Sequence, residues 1–318
     1  MKKHYLIGLL LIMALALLPF NSVYSQPSWH SNTATIETPD LVVRFFNKQP
    51  QYMFWVPNEN GTTVYIVKFL EIVEFNDKDN NGAYTESDEL LARAQLLESS
   101  VAWNISAEEL IVNSIKEIRI TMNATVRVMS TSPGMGGQIG YVKVSFINHI
   151  YNKTINVDGY EVEGNKELKI DIVISDWPWI SQESKLAIGI IFAGHFRGKE
   201  ETPSMEKHTV REHVREVRMG HEGAPYEGAF RYMDQVRIME NNSYRFGKVN
   251  DSEMSGMNKA IMYLAYPHFD GVLVHDPSIT VIKSGGEDIL NLIYNNYILV
   301  SIIAIVLVGI VVVLLKRR

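Results

Sequence analysis

Cysteine is absent from this sequence, and its absence excludes several kinds of structure and chemistry. The chain can form no disulfide, and it can hold no cysteine-bound zinc, iron–sulfur cluster or blue-copper ion. Thiol nucleophiles are excluded for the same reason. Outside a cell, such a chain must draw its stability from a large core, a metal ion or attached sugars.

Common catalytic motifs are also missing. The chain contains no G-x-S-x-G around a serine and no H-E-x-x-H zinc motif. The glycine-rich run at 132–137 is not followed by Lys-Ser or Lys-Thr, so it predicts a hairpin tip rather than a phosphate-binding loop. We therefore expect a protein that is not an enzyme, although a carboxylate pair assembled only by folding would leave no such motif.

Positive charge is scarce in the central part of the chain. Residues 26–288 contain all 36 acidic residues and all but five of the 30 basic residues, which gives this segment a net charge of −11. A surface of this sign repels nucleic acid and anionic lipid. The sequence therefore predicts no nucleic-acid partner, and it is compatible with the binding of cations.

The carboxyl-terminal end carries a long apolar run. Residues 297–315 contain no charge and are followed by a basic triplet at 316–318. At about 1.5 Å per residue, a helix of this length spans roughly the hydrocarbon core of a bilayer and satisfies its own backbone hydrogen bonds. The run predicts one transmembrane helix, preceded by a juxtamembrane segment at 289–296 and followed by a cytoplasmic tail.

The amino-terminal end has the features of a secretory signal. Two lysines precede the apolar run 5–18, and the residues at 23–25 are tolerated at a cleavage site. We predict a signal peptide at 1–25, and an uncleaved N-terminal anchor is the alternative. Either one places residues 26–288 outside the cytoplasm, in a cell-membrane protein whose C-terminus is inside.

Alternating or continuous apolar segments predict a mainly β fold. They lie at 41–46, 64–75, 115–129, 141–146, 168–172, 186–192 and 272–274. Strands without a βαβ rhythm are typical of an antiparallel β-sandwich. We predict one sandwich ectodomain across 26–288, with two sandwiches meeting near 153–166 as the alternative. Helices outside the membrane are predicted at 205–218 and, as a second candidate, at 87–97.

One loop, residues 77–88, carries a pattern of metal ligands. Calcium takes six to eight oxygen ligands, and a twelve-residue loop can wrap around it when position six is glycine, here Gly82. We predict one structural Ca²⁺, and an ordinary Asp/Asn/Gly turn between strands is the alternative. The predicted ligands, at positions one, three, five, seven, nine and twelve, are Asp77, Asp79, Asn81, the carbonyl of Ala83, Thr85 and Asp88.

Over these twelve residues the chain resembles the calcium loops of EF-hand and dockerin domains. It departs from EF-hands in two ways. The preceding segment 64–75 is predicted to be a strand instead of a helix, and position twelve is Asp88, with Glu89 as a neighbouring substitute. Tyr84, at position eight, is expected to point inward as an apolar anchor. These features favour a lone structural site over a paired sensor.

A wider resemblance involves three short stretches. They are F-x-D-x-D-x-N-G-x-Y from Phe75, I-S-D-W-P-W at 174–179 and V-H-D-P-S-I at 274–279. In this the chain is similar to uncharacterised secreted and membrane-anchored surface proteins, many of them archaeal. The resemblance spans most of the predicted ectodomain, and it implies a shared β-rich fold without any particular activity.

Asparagine stands in an N-x-Ser/Thr sequence six times in the predicted ectodomain. This enrichment predicts a glycosylated protein, and each modified residue must then be exposed. The predicted sites are Asn60, Asn104, Asn123, Asn152, Asn241 and Asn250.

Two further groups of residues are interpreted as structural. The tryptophans at 177–179 suit a binding surface, but they follow a strand, so we expect them to pack at the edge of the core. Four histidines fit no established metal spacing, and we interpret them as solvated surface residues: His195, His208, His213 and His221.

Together these features predict a single-pass cell-surface protein with a calcium-stabilised β-rich ectodomain and a structural, adhesive or ligand-binding role. The expected partners are the membrane, through the C-terminal span, and a surface protein or a glycan. A membrane-tethered extracellular hydrolase and an accessory subunit of a membrane complex are the alternatives.

Overall fold

The computed structural model describes residues 27–284, except 31, 58–61, 132–135, 158, 197, 242 and 257–258. The predicted signal peptide, juxtamembrane segment, transmembrane helix and cytoplasmic tail lie outside this part of the chain. Within it, no helix is long and apolar enough to cross a bilayer.

The fold is mainly β, as predicted. Strands make up 68 % of the structure, and no helix is found in the described part of the chain. Every strand pairing there is antiparallel. The first twelve strands are β1 Ser28–His30, β2 Thr33–Glu37, β3 Val42–Phe46, β4 Gln51–Trp55, β5 Thr63–Asn76, β6 Glu89–Gln95, β7 Asn104–Val112, β8 Ile115–Ser130, β9 Gly137–Tyr151, β10 Ile155–Val157, β11 Tyr160–Val162 and β12 Glu167–Ser175. The others are β13 Lys185–Phe196, β14 Lys199–Glu201, β15 Ser204–Arg211, β16 Val214–Gly220, β17 Tyr226–Met233, β18 Gln235–Glu240, β19 Ser243–Lys248, β20 Asn250–Gly256, β21 Lys259–Tyr266, β22 Val272–His275 and β23 Ser278–Lys283.

Two sections of sheet pack face to face around a common core. One section is built around β5, β13 and β21, and the other around β8, β9, β12 and β23. Aromatic rings meet between them: Phe69 lies 4.6 Å from Phe146, and Phe192 lies 5.5 Å from Phe230. This antiparallel arrangement is consistent with a β-sandwich, whose core forms between two inner sheet faces.

The buried positions follow the sequence pattern that predicted the strands. In β8 alternate residues are buried and exposed along its second half, because successive side chains point to opposite faces of a sheet. In β13 the continuous apolar run 186–192 is buried throughout, since β5 and β21 flank this strand and side chains cover both of its faces.

The helix predicted at 205–218 is wrong. Strands β15 and β16 form a hairpin there, and the turn between them contains His213 in the left-handed region at φ 64°. Thr209, Val210, Val214 and Val217 are β-branched and favour extended backbone, and Val217 is fully buried in the core. The spacing of the valines also fits a hairpin, because the turn lies between Val210 and Val214.

The second helix candidate, 87–97, is also wrong, because most of it forms β6. Its leucines and alanines are good helix formers, but β6 pairs with both β5 and β8. Leu91, Ala92 and Ala94 are buried there. Hydrogen bonding in two ladders and burial together outweigh the local helix propensity, which spans less than about 1 kcal/mol per residue.

Two segments between strands bear on the sequence analysis. Strands β8 and β9 form a hairpin that pairs up to Ser130 opposite Gly137, and residues 132–135 of the glycine-rich run lie outside the described residues. The segment 153–166 contains the small β10–β11 hairpin, which is a separate two-stranded sheet. The other 21 strands belong to one hydrogen-bonded sheet system.

Candidate functional site

The loop predicted to bind calcium connects β5 to β6. The two strands pair down to Asn76 opposite Glu89, so residues 77–88 leave and re-enter the sheet at neighbouring points. The segment before the loop is a strand, as predicted, instead of the entering helix of an EF-hand. The loop is therefore held by a rigid antiparallel ladder on both sides.

Two residues of the loop have left-handed backbone conformations. Asn80 has φ 57° and Gly82 has φ 84°, which asparagine and glycine adopt more readily than other residues. The tight turn brings the N–H of Gly82 to 2.9 Å from Oδ2 of Asp77, to which it donates. The first and sixth positions of the loop are thus in contact, as wrapping around an ion requires.

Three carboxylates converge in this loop. One oxygen from each of Asp77, Asp79 and Asp88 lies within 4.8 Å of the other two. No other group of three or more histidine or carboxylate side chains in the described part of the chain is placed to hold a metal ion. Asp88 closes the loop, since it accepts hydrogen bonds from the N–H groups of Lys78 at 3.0 Å and Thr85 at 2.7 Å.

Asp77 contains an oxygen that lacks a partner. Its side chain is only 6 % exposed, and Oδ1 is buried without any hydrogen bond. The other oxygen, Oδ2, lies 2.5 Å from Nζ of Lys185. Burial raises the pKa of Asp77, but the hydrogen bonds from Lys185 and Gly82 outweigh burial and hold this pKa below its usual value. A buried, charged oxygen without a donor is costly, and a metal ion would satisfy it.

The remaining predicted ligands lie beside these acids. Nδ2 of Asn81 donates to Oδ2 of Asp79 at 2.7 Å, and Oγ1 of Thr85 donates to Oδ2 of Asp88 at 2.9 Å. Ala83 is buried, and its N–H donates to Oδ1 of Asn81 at 2.7 Å. Asn81 and Thr85 are therefore hydrogen-bonded to two of the three converging acids, and Ala83 is hydrogen-bonded to Asn81.

The loop is anchored to the rest of the fold. Tyr84 is buried and points inward as predicted, with its ring 5.1 Å from Phe75 and 4.9 Å from Tyr263. Its carbonyl accepts a hydrogen bond from Oγ of Ser252, and Nδ2 of Asn250 donates to another loop carbonyl at 3.2 Å. These contacts tie the loop to β20, so that ordering the loop also orders its neighbours.

The predicted glycosylation sites differ in their surroundings. Asn104, Asn123 and Asn241 are exposed, whereas Asn152 and Asn250 are half-buried. Asn60 lies outside the described residues. The exposed pair Asn104 and Asn123 stand directly opposite each other on β7 and β8, so sugars on both would be adjacent. A sugar on Nδ2 of Asn250 would have to displace its contact with the loop.

The four histidines do not gather into a metal site within the described part of the chain. His221 is not solvated, contrary to our interpretation: its side chain is 2 % exposed, and its ring stacks between Tyr65 and Phe196 at 5.9 and 5.6 Å. His213 is half exposed and lies 2.8 Å from Oδ1 of Asp234. These ring contacts could not be predicted from the sequence, because Tyr65, Phe196 and His221 lie far apart along the chain.

The tryptophans at 177–179 pack at the core edge as expected, and they reveal a buried acid that the sequence reasoning missed. Nε1 of Trp177 donates to Oε2 of Glu74 at 3.0 Å, and Nε1 of Trp179 donates to the carbonyl of Phe269 at 2.8 Å. Glu74 is fully buried and also accepts from the N–H of Ile180 at 2.9 Å. The acid holds the loop after β12 in place.

A second group of charged residues lies on the outer face of β8, β9 and β12. Nδ1 of His149 lies 2.8 Å from Oε1 of Glu117, and Nε2 lies 3.2 Å from Oδ2 of Asp171. Burial lowers the pKa of His149, but the two carboxylates outweigh burial and raise it above its usual value. Because both ring nitrogens are held by carboxylates, this histidine has no nitrogen left to act on a substrate.

No protein-family model matches the chain, and no curated protein sequence matches it either.

Proposed function

We propose that this chain is a calcium-stabilised surface protein whose β-sandwich ectodomain has a structural, adhesive or ligand-binding role rather than an enzymatic one. The sequence features at both ends support secretion and anchoring by a single C-terminal span. The net charge of −11 in residues 26–288 supports a cation as the stabilising ligand and opposes nucleic acid as a partner.

The observation that carries the calcium assignment is the unpartnered Oδ1 of Asp77 beside two further carboxylates. Calcium accepts oxygen ligands in flexible geometry, and a twelve-residue loop with glycine at position six suits it. Asp77, Asp79, Asn81, Ala83, Thr85 and Asp88 would supply the oxygens. Magnesium fits less well, because it demands a near-ideal octahedron and keeps most of its water.

Calcium in this loop would act on the fold rather than on a substrate. The loop joins β5 to β6 and is tied to β20, so an ion there would hold three strands in register. Because calcium would bind only the folded state, its binding free energy would add to the free energy of unfolding. An extracellular domain without disulfides would benefit most from this additional stability.

Thermal melting of the full-length protein in detergent, with calcium and then with chelator, tests this proposal. At calcium concentrations about 100 times Kd, binding stabilises a fold by about 2.7 kcal/mol. For a domain of this size, we expect the melting temperature to rise by roughly 5–10 °C. Magnesium at the same concentration should give a much smaller shift.

Asp79→Ala is the decisive variant, because Asp79 is exposed and its loss should cost the calcium-free fold little. The variant should lose the calcium shift. Asp40→Ala, at an exposed acid in a distant turn, is the matched control and should keep it. If the difference in melting temperature between calcium and chelator is the same for wild type and Asp79→Ala, the loop is an ordinary turn.

A further inference from the structure

A groove runs along the protein surface from the proposed calcium loop, residues 77–88, to the edge strand β19. It consists of three cavities of about 590, 320 and 570 Å³. The first two share His213, Gln235 and Phe246, and the last two share Asp234 and Lys248. The cavities therefore adjoin one another, and each has the size of a small-molecule site.

The outer face of the β18–β19 hairpin forms the floor of this groove. Arg237 stands opposite Phe246, and Met239 stands opposite Tyr244, so all four side chains lie on one face of the sheet. Tyr244 is 66 % exposed, Phe246 64 % and Met239 50 %. The alternate residues of β18 are buried in the core, which fixes the register of this face.

The exposed aromatic side chains are unusual for this protein. Three of the eight large apolar side chains exposed in the described part of the chain lie on this hairpin. The rings of Tyr244 and Phe246 are 5.7 Å apart and nearly perpendicular. Large apolar groups gathered at one exposed place mark a surface that is covered when a ligand binds.

The wall opposite the aromatic rings is a turn held in a strained conformation. His213, between β15 and β16, has φ 64°, which is uncommon for a residue with a side chain. Asp234 fixes this turn, since it lies 2.8 Å from Nδ1 of His213 and accepts a hydrogen bond from Arg215 at 2.9 Å. The contact with Asp234 holds the turn, and with it His213, in one position beside the groove.

The charges along the groove cancel. The cavity at the aromatic end is lined by two basic and two acidic side chains, and the cavity beside the calcium loop is also lined by two of each. Amide and hydroxyl groups stand between them, among them Gln235, Asn250 and Ser252. A lining of this composition complements a ligand that is uncharged and rich in hydrogen-bonding groups.

We propose that this groove binds an extended, neutral carbohydrate chain, with Tyr244 and Phe246 as an aromatic platform whose two perpendicular rings would stack on different sugar rings. The apolar faces of sugar rings pack on aromatic rings, while their hydroxyl groups bond to amides, hydroxyls and charged side chains in the plane. A peptide fits less well, because the platform lies on the face of β19 and not along its hydrogen-bonding edge. The inference rests on the proposed binding role and names the ligand of that role.

Affinity electrophoresis of the full-length protein tests the inference. The protein, in a detergent without a sugar headgroup, is run in native gels that contain laminarin, mannan or xyloglucan. Gels with alginate, an acidic polysaccharide, and with gelatin, a polypeptide, run beside them. We expect retarded migration in at least one neutral polysaccharide and at least tenfold weaker binding by Tyr244→Ala and by Phe246→Ala.

Tyr141→Ala is the matched control, because Tyr141 is an exposed aromatic residue on another strand, 53 % accessible. It should bind like wild type. The inference is overturned if none of the neutral polysaccharides retards the protein, if only alginate or gelatin does, or if both groove variants bind like wild type. Unaltered melting curves of the variants show that folding is intact.

The same variants separate this inference from the calcium proposal. Tyr244→Ala and Phe246→Ala should keep the full calcium-dependent rise in melting temperature. If polysaccharide retards the protein but calcium does not raise its melting temperature, the carbohydrate inference is supported and the calcium site is refuted. If calcium raises the melting temperature but no polysaccharide retards the protein, the calcium site is supported and the carbohydrate inference is refuted.

Discussion

Lys185 is a built-in competitor for the cation that the loop is proposed to bind. Its Nζ lies 2.5 Å from Oδ2 of Asp77, and its side chain is 31 % exposed. An ion ligated by Asp77 would have to share that carboxylate with the ammonium group or displace it. Lys185→Met removes the positive charge, keeps most of the aliphatic chain and leaves every proposed ligand in place.

The size of the effect follows from two contributions. In wild type, breaking the partly exposed Lys185–Asp77 ion pair reduces the free energy of calcium binding by about 1 kcal/mol. Lys185→Met has no ion pair to break. A divalent ion about 5 Å from an ammonium group is repelled by a further ~1–2 kcal/mol even in a water-like dielectric. The lysine can swing partly into solvent, which reduces the second contribution. We expect calcium to bind Lys185→Met about tenfold more tightly, which corresponds to about 1.4 kcal/mol.

Calorimetric titration of the full-length protein with calcium measures this change. Lys143→Met is the control, since Nζ of Lys143 lies 2.8 Å from a carboxylate oxygen of Asp176 in an exposed pair that includes no residue of the loop. The control should bind calcium like wild type. In chelator, Lys185→Met should melt below wild type, because Asp77 then loses the ammonium group that pairs with it. Calcium affinity that is unchanged or weaker in Lys185→Met would refute the reasoning.

Two further predictions concern stability. Glu74→Ala leaves the buried indole N–H of Trp177 and the half-buried N–H of Ile180 without an acceptor, at about 1–3 kcal/mol each. Urea unfolding should show a loss on the order of 4 kcal/mol, and a loss below about 1 kcal/mol would contradict this prediction. Burial lowers the pKa of His275 to about 4. The unfolded chain therefore takes up this proton first as the pH falls, and stability that is full above pH 6.5 should drop by about 3 kcal/mol towards pH 4. Urea unfolding at pH 7 and pH 4 measures the drop, and His275→Gln should reduce it. An equal drop in the variant would argue against His275 as the source.

Much of the fold could be predicted because the information is local. The continuous apolar run at 186–192 reflects a strand that is buried on both faces. The alternation in β8 and β12 reflects strands buried mainly on one face, because every second residue of a strand points to the same side. The prediction failed at 205–218, where valines at helical spacing turned out to flank a turn. Periodicity alone cannot distinguish these cases when a turn at His213 interrupts the pattern.

The loop at 77–88 was visible for the same reason. A twelve-residue ion-binding loop takes its ligands from consecutive turns of one segment, so the order Asp77, Asp79, Asn81, Gly82 and Asp88 carries the whole pattern. The buried position of Asp77 and its contact with Lys185 were not visible, because Lys185 is 108 positions away.

Sequence alone therefore determined what depends on neighbours in the chain: several of the strands, the spacing of acidic and amide residues in loop 77–88 and the apolar segments at both ends. Only the tertiary structure decided the contacts between residues far apart in the sequence and the exposure of individual side chains. Glu74 and Trp177 are 103 positions apart and meet only when the sheets pack. Tyr244 and Phe246 could equally have been core residues by their apolar character. Only the position of β19 at an edge of the sheet, paired with β18 alone in the described part of the chain, leaves them exposed beside a groove.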